Sequence, residues 1–339
     1  MTSVAVIGAG ISGLSAAIFC ARDGHNVTIY EQTKKVGEYL PPIVFGTCLT
    51  DIDTIEKTLN LDIKKLMKPV VLEMRFPKSE YKMKSEKYKT YNVEIGPRKT
   101  SLNSYLRNLA IRSGVKIVEN NKILDPSKLR SDKKIIACGS WSRLWDSLGV
   151  DYTKVYAYAG YGKYLGDTDT YFSVVDDTFS PGWYSHVSSI NGIVSGLISS
   201  KKFVNKNNWD AFSRYVIDQG LTSRFKEVRY LTGKIANKCS LTKGEYLLAG
   251  TIAGCNDPLF NHGIPMALVS GKIAAIGVND LKRAKSLFWD IFSKKFMFFS
   301  SLRLLDKISD RDSTKEAVFN LNQKFWRMLW EFDFAETNF

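Results

Sequence analysis

The sequence predicts an α/β fold in which a parallel sheet, opened by a strand–turn–helix–strand unit, is interrupted by an inserted antiparallel sheet and followed by a helical C-terminal region. Three observations predict it. Residues 3–8 and 26–31 are short apolar or β-branched runs that flank a helical stretch rich in small residues. Residues 70–95 change to an alternating, Lys-rich pattern suited to antiparallel pairing. Short buried-strand runs then return at 115–118, 134–137 and from 246.

Taken in order, Ser3-Val-Ala-Val-Ile-Gly8 reads as a buried strand, residues 11–23 as a helix stopped by Gly24, and Asn26 to Glu31 as the strand completing a βαβ unit. Alternating strands follow at Val70 to Phe76, Tyr81 to Met83 and Tyr91 to Ile95. A helix from about Ser101 to Ser113 ends at Gly114, and two strands, 115–118 and 134–137, bring the chain back to the first sheet. Aromatic, β-rich segments at 155–164, 170–175, 183–187 and 192–198 form a second sheet, with a helix near Trp209 to Gln219. Residues 246–278 give a strand, a Gly-containing loop and an Ala/Gly-rich helix. The expected organisation is a discontinuous first domain (1–69, 96–150 and 245–282), a second domain (70–95 and 151–244) and a helical region (283–339).

A chain of 339 residues, 44% hydrophobic and 24% charged, is long enough to bury a large core and has the composition of a globular protein. Five widely spaced cysteines with no CxxC pair argue against a disulfide framework or a zinc site and suit a reducing, cytoplasmic compartment. The first twenty residues lack a basic leader and are punctuated by Gly8, Gly10 and Gly13, so a secretory signal is not expected. No apolar stretch reaches the roughly 20 residues needed to span a bilayer. A formal charge of +14 draws the protein toward anionic partners without choosing among them. The lysines at 78, 82, 84, 87 and 89 alternate through strands with no nucleic-acid-binding pattern and read as a solvated sheet edge. Phe288, Phe292, Phe296 and Phe299 recur at helical spacing beside basic residues, which suits either a helix lying on an anionic membrane or one packed on the protein's own core.

The chemistry-bearing motif is Gly8-Ala9-Gly10-Ile11-Ser12-Gly13, a GxGxxG placed where strand meets helix, with Glu31 eighteen positions later at the end of the next strand. Gly8 permits the tight turn, Gly10 lets backbone approach a pyrophosphate, and Gly13 lets helix pack on strand. The helix N-terminus presents unpaired N–H groups to phosphate, and Glu31 suits ribose hydroxyls. This is a Rossmann-type dinucleotide fingerprint, and it fits FAD and NAD equally.

Three further segments carry a resemblance over roughly the first 280 residues. They are Gly96-Pro-Arg98-Lys-Thr-Ser-Leu102, Ala137-Cys-Gly139-Ser-Trp-Ser142, and Leu248-Ala-Gly250-Thr251-Ile-Ala-Gly-Cys-Asn-Asp-Pro-Leu-Phe-Asn261-His262-Gly263-Ile264 with Ala267, Ser270 and Gly271. With the N-terminal fingerprint they resemble the geranylgeranyl reductase branch of the para-hydroxybenzoate hydroxylase-like flavoproteins. The resemblance implies FAD, held by Gly8, Gly10, Ile11, Ser12, Gly13, Glu31 and Gln32, by Arg98 beside the phosphates, by Gly139, by Gly250 and Thr251 at the ribityl chain, and by Gly263 and Ile264 at the flavin edge. The family's aspartate is Thr251 here and one of its glycines is Asn261; a neutral hydroxyl makes a weaker hydrogen bond than a carboxylate.

Pro181-Gly-Trp183-Tyr184-Ser-His186 is similar to the aromatic strand that lines the family's substrate cavity, placing Trp183, Tyr184 and His186 there. Reduction of an alkene needs hydride at one carbon and a proton at its neighbour, and Cys48, Tyr184 and His262 are the candidate proton donors. The implied function is reduction of carbon–carbon double bonds in an isoprenoid, with NADPH or a small electron-transfer protein as reductant and no metal. The alternatives are an FAD monooxygenase of an aromatic or terpenoid compound, and a flavoprotein-like binding protein without redox activity.

Overall fold

The computed structural model describes residues 1–47, 52–77, 81–256, 263–294 and 296–297. Strand β1 (Ser3–Ile7) is buried at four of its five positions because both faces of its sheet are covered. Helix α1 (Ile11–Arg22) and strand β2 (Asn26–Tyr30) follow, and β2 pairs parallel to β1 in the register Ser3 to Asn26 through Ile7 to Tyr30.

The chain then leaves this sheet earlier than its sequence suggests. Strand β3 (Ile43–Thr47) falls within the segment assigned to the first domain, yet it pairs antiparallel with a strand of the second sheet. Its placement depends on distant partners: the Val44 amide donates to Ser195 Oγ at 2.9 Å, and the same hydroxyl donates to the Val44 carbonyl at 3.0 Å. Helix α2 (Ile52–Leu59) turns Ile52, Ile55 and Leu59 into the core, and β4 (Met67–Phe76) and β5 (Tyr81–Ile95) form a long antiparallel pair. The two short strands expected between 81 and 95 are one continuous strand. Since β3 pairs only with residues 91–95, the residues of β5 before Tyr91 lie on the sheet edge among the described strands.

Helix α3 (Leu102–Arg112) starts at Ser101, whose Oγ accepts the Ser104 amide at 3.2 Å. Strands β6 (Lys116–Val118) and β7 (Lys133–Ile136) return to the first sheet, and a short helix α4 (Leu144–Ser147) leads out of it. Strands β8 (Tyr152–Lys163), β9 (Tyr171–Val174), β10 (Ser185–Ile190) and β11 (Ile193–Ser200), helix α5 (Lys206–Asp218) and strand β12 (Lys226–Ala236) complete the second sheet and its covering helix. Strands β13 (Thr242–Lys243) and β14 (Tyr246–Leu248) close the first. The outcome is a six-stranded sheet ordered β13-β14-β7-β1-β2-β6, parallel except for β13, and an eight-stranded sheet ordered β12-β8-β11-β10-β9-β4-β5-β3.

Helix α6 (Ile264–Asn279) is apolar on most sides because it is buried against α1; Ser15 Oγ donates to the Leu268 carbonyl at 2.6 Å between them. Helix α7 (Leu281–Phe288) runs into a π-helical turn (Trp289–Ser293). Of the two readings of the phenylalanine stripe, the structure selects the core: Phe288, Phe292 and Phe296 are 3%, 4% and 8% exposed, so this face is already covered by protein. Phe299 lies outside the described residues. No described helix is long and apolar enough to cross a membrane.

Candidate functional site

The C-terminal ends of β1 and β7 and the N-terminus of α1 meet at one end of a cavity of about 370 Å³ that extends to the second sheet. Such a crevice outside the carboxyl ends of parallel strands is where open α/β sheets bind ligands. Its polar end is the loop from Gly8 to Ser12. Gly8 has φ +104°, a conformation that disfavours any side chain, and a β-carbon there would collide with the Ala137 carbonyl. At Gly13 a β-carbon would collide with the Gly8 carbonyl, so the first turn of α1 can sit this close to β1 only without a side chain.

Gly10 is different in kind: nothing lies within 4 Å of where its β-carbon would be, and it faces the cavity. It also caps α1 without any side-chain hydrogen bond, which leaves the Ile11, Ser12 and Gly13 amides with no intrahelical or capping acceptor, the Leu14 amide being the first to close the helix, on the Gly10 carbonyl at 2.9 Å. Unclaimed donors, open space at the cap and the positive end of a helix are what a pyrophosphate requires, so this loop fits the phosphates of a dinucleotide. Gly13 completes the loop by packing and does not line the cavity itself.

Glu31 and Gln32 line the same end. The Glu31 carboxylate accepts the Ala9 amide at 2.8 Å through Oε2 and, through Oε1, the Thr33 amide and hydroxyl at 2.9 and 2.8 Å. It therefore holds the glycine loop in place while presenting remaining lone pairs to the cavity. Asn121, Lys122 and Ile123, which the sequence did not flag, close this end; they arrive because β6 pairs with β2, and the Asn121 amide donates to the Glu31 carbonyl at 2.7 Å.

Arg98 is elsewhere. Its Nε lies 3.2 Å from Oε1 of Glu94, a fully buried carboxylate that also accepts the Thr100 hydroxyl at 2.6 Å, and Arg98 is not among the cavity-lining residues. A buried carboxylate needs a cation beside it, and that need governs where the guanidinium goes. From the same segment it is Gly96 and Asn103 that line the cavity, with the Gly96 amide donating to Asn103 Oδ1 at 3.1 Å.

In the middle of the cavity, Cys138, Gly139 and Trp141 form one wall. Burial pushes the Cys138 thiol up to about 12, so it stays protonated, and it donates to the Gly139 carbonyl at 3.9 Å. Trp141 stacks on Tyr39 with ring centroids 4.5 Å apart, and Arg229 anchors Tyr39's loop by donating to the Glu38 and Tyr39 carbonyls at 3.0 Å each. Gly250 and Thr251 lie opposite, where the Gly250 amide donates to Ser270 Oγ at 3.0 Å. Gly263 and Ile264 bring the N-terminus of α6 to the wall, next to Asn256.

The far end is apolar and aromatic, with Phe45, Val155, Tyr184, His186, Leu197 and Leu231 among its lining. The His186 ring lies 5.3 Å from that of Phe45 and 6.5 Å from that of Tyr184. Trp183, expected to line the cavity, is not among its lining residues; it packs with Met74, Phe76, Val175 and Tyr184, its ring centroid 6.4 Å from that of Tyr184 and Lys201 Nζ 5.4 Å over it. Trp183 and Tyr184 thus share one hydrophobic cluster, and of the two it is Tyr184 that lines the cavity. Cys48, Asn261 and His262 lie outside the described residues.

Comparison with known proteins places this architecture. The model of the pyridine nucleotide-disulphide oxidoreductase family matches residues 2–174. Among solved structures, a geranylgeranyl bacteriochlorophyll reductase-like protein from Thermoplasma acidophilum superposes with a TM-score of 0.73 at 19% identity, covering 93% of this chain and 90% of that one. CtdE in complex with FAD and a substrate gives 0.65 at 16% identity over 90% and 89% of the two chains. A 2-methyl-3-hydroxypyridine-5-carboxylic acid oxygenase gives 0.65 at 16% identity over 91% and 93%. At these identities the likeness is one of fold. No curated protein matches the sequence.

Proposed function

The chain belongs to the pyridine nucleotide-disulphide oxidoreductase family and has the fold of FAD-dependent oxidoreductases, and from that premise we propose that it binds FAD and reduces carbon–carbon double bonds of an isoprenoid. The observation that carries the reading is the cavity's polarity gradient, from the glycine loop and Glu31 at one end to the wall of Phe45, Tyr184, His186, Leu197 and Leu231 at the other. The polar end suits a dinucleotide and the apolar end suits a hydrocarbon chain.

When bound, reduced FAD would supply the hydride. The first-turn amides of α1 would hold the pyrophosphate, Glu31 the ribose, Thr251 the ribityl chain, and Gly263 with Ile264 the flavin edge. Tyr184 Oη, on the apolar wall, would deliver the proton to the neighbouring carbon, and the Tyr39–Trp141 stack would exclude water from the middle of the cavity. The electrons would come from NADPH or a small electron-transfer protein. A prenyl chain carried on a lipid would bring the enzyme to an anionic membrane, to which its charge of +14 would draw it. With the phenylalanine stripe packed inward, that attraction would rest on charge and fall with added salt.

The test is the absorbance spectrum of the purified protein, with the chromophore identified after denaturation, followed by anaerobic reduction in the presence of prenylated substrates. Oxidised-flavin bands, FAD on release and a saturated product support the reading. Oxygen consumption coupled to hydroxylation would replace it with a monooxygenase. A colourless chain that cannot take up FAD would leave a binding protein without redox activity.

A further inference from the structure

Cys239 and Cys255 stand sixteen residues apart in the sequence, and their segments come together beside the cavity. Cys239 lies in the turn between β12 and β13, and Cys255 follows the helical turn Gly250–Ala253 whose Thr251 lines the cavity. The Ser240 amide donates to the Ala253 carbonyl at 2.9 Å, and a β-carbon on Gly254 would stand 2.9 Å from the Cys239 Cα. The Cys239 thiol donates to the Gly254 carbonyl oxygen at 3.7 Å, which sets it against the residue that precedes Cys255 in the chain. Their accessibility differs: Cys255 is 1% exposed whereas Cys239 reaches solvent in part.

We propose that this neighbouring pair, Cys239 and Cys255, is a reversible dithiol–disulfide site, oxidised by small-molecule disulfides of the glutathione type, that staples the turn before β13 to the cavity wall. In the first step the accessible Cys239 sulfur, having lost its proton to solvent, attacks one sulfur of the disulfide; its S–S bond breaks and a thiol leaves with a proton. In the second, Cys255 attacks the Cys239 sulfur, releases its own proton and expels the second thiol. Two protein thiols are oxidised by two electrons and one small disulfide is reduced to two thiols. Burial, with the Cys239 thiol beside it, holds the Cys255 thiol well above its usual range, so Cys255 acts as the resolving residue, through proximity. Asn256, next in the chain, lines the cavity, so the cross-link restrains a wall of the site. The proposal does not depend on which cofactor or substrate the cavity takes.

The experiment equilibrates the full chain, as purified with its cofactor, with glutathione buffers of graded redox poise, followed by acid quench, alkylation in denaturant and peptide mapping. The expected result is a linked Cys239–Cys255 peptide at oxidising poise, reversed at reducing poise, with free thiols falling from the chain's five to three as two are consumed. Cys255→Ser should stop with one glutathione on Cys239, and Cys239→Ser should leave Cys255 unmodified. Amide exchange across 250–256 should slow on oxidation, and the reduced-state exchange of Cys239→Ser shows whether the variant is folded. Wild-type protein that stops at the mixed disulfide, a link to another cysteine such as Cys48, or unchanged exchange in the linked protein would each overturn the proposal.

Discussion

The Glu31 carboxylate accepts the Ala9 amide at 2.8 Å, so the acidic residue that ends β2 also organises the glycine loop after β1. Its second oxygen is engaged by the amide and hydroxyl of Thr33, and both oxygens are therefore structural before any ligand arrives. Glu31→Gln cannot preserve this, because one of its two terminal atoms becomes a donor facing another donor. Hydrogen bonds to a charged group contribute about 1.5–3 kcal/mol, so FAD affinity should fall by roughly 10- to 100-fold in a fluorescence titration. An unchanged affinity would mean that Glu31 neither shapes nor touches the nucleotide site.

The glycines of the loop should separate under mutation. Gly10→Ala meets open space and has φ −71°, so the protein should keep its melting temperature while the new methyl group obstructs the cofactor's phosphates. Gly13→Ala drives a methyl group into the Gly8 carbonyl and should destabilise the fold by about 1–3 kcal/mol. Thermal melts of the apo-protein, paired with FAD titrations, distinguish binding loss from folding loss. A destabilised Gly10→Ala would contradict the assignment of that space to a ligand.

Arg98 should matter to stability. Removing it in Arg98→Met leaves Glu94 buried without its cation, and the expected cost is about 3 kcal/mol, at the low end for a broken buried pair because Arg98 is 34% exposed. Converting Glu94 as well, in the Glu94→Gln/Arg98→Met double variant, should recover much of the loss by urea denaturation. If Arg98→Met instead left stability intact and abolished FAD binding, the phosphate role expected from the sequence would be restored.

Burial, with a smaller contribution from Asp23, pushes the Cys20 thiol from 9.0 up to about 12. A raised folded-state value means that the folded chain keeps a proton the unfolded chain gives up. The associated stability is fully present below pH 9 and is lost as pH rises toward 12. Cys20→Ala removes this contribution, so across that window its stability should fall less steeply than wild type by about 1.4 kcal/mol per pH unit. Parallel slopes for the two proteins would refute a titrating buried thiol.

Tyr184 lines the cavity whereas Trp183, edge-on to it at 6.4 Å, does not, and their substitutions should differ accordingly. Tyr184→Phe retains the ring and removes the proton, so kcat for alkene reduction should drop by about 100-fold, the scale of general acid catalysis, with KM little changed. Trp183→Ala empties a core position and should lower stability by about 3–5 kcal/mol. Equal kcat for wild type and Tyr184→Phe would move the proton donor to another residue.

What the sequence by itself determined follows from local rules. The spacing of Gly8, Gly10 and Gly13 encodes a strand-to-helix turn, with Gly13 packed on the Gly8 carbonyl five residues before it, and the runs at 3–7 and 26–30 encode strands, the first buried at four of its five positions. Ser101 announces a helix start by its own side chain. These constraints act over a few residues and are readable without a partner. Tertiary structure alone decided the rest: that β3 joins the second sheet through Ser195, that β6 carries Asn121 to Ile123 to the nucleotide end, that Tyr39 stacks on Trp141 under an anchor from Arg229, and that Arg98 serves Glu94. Sheet pairing and the pairing of a buried charge are settled by groups that can lie tens to more than a hundred residues away, and spacing within one segment carries no record of which distant group will meet it.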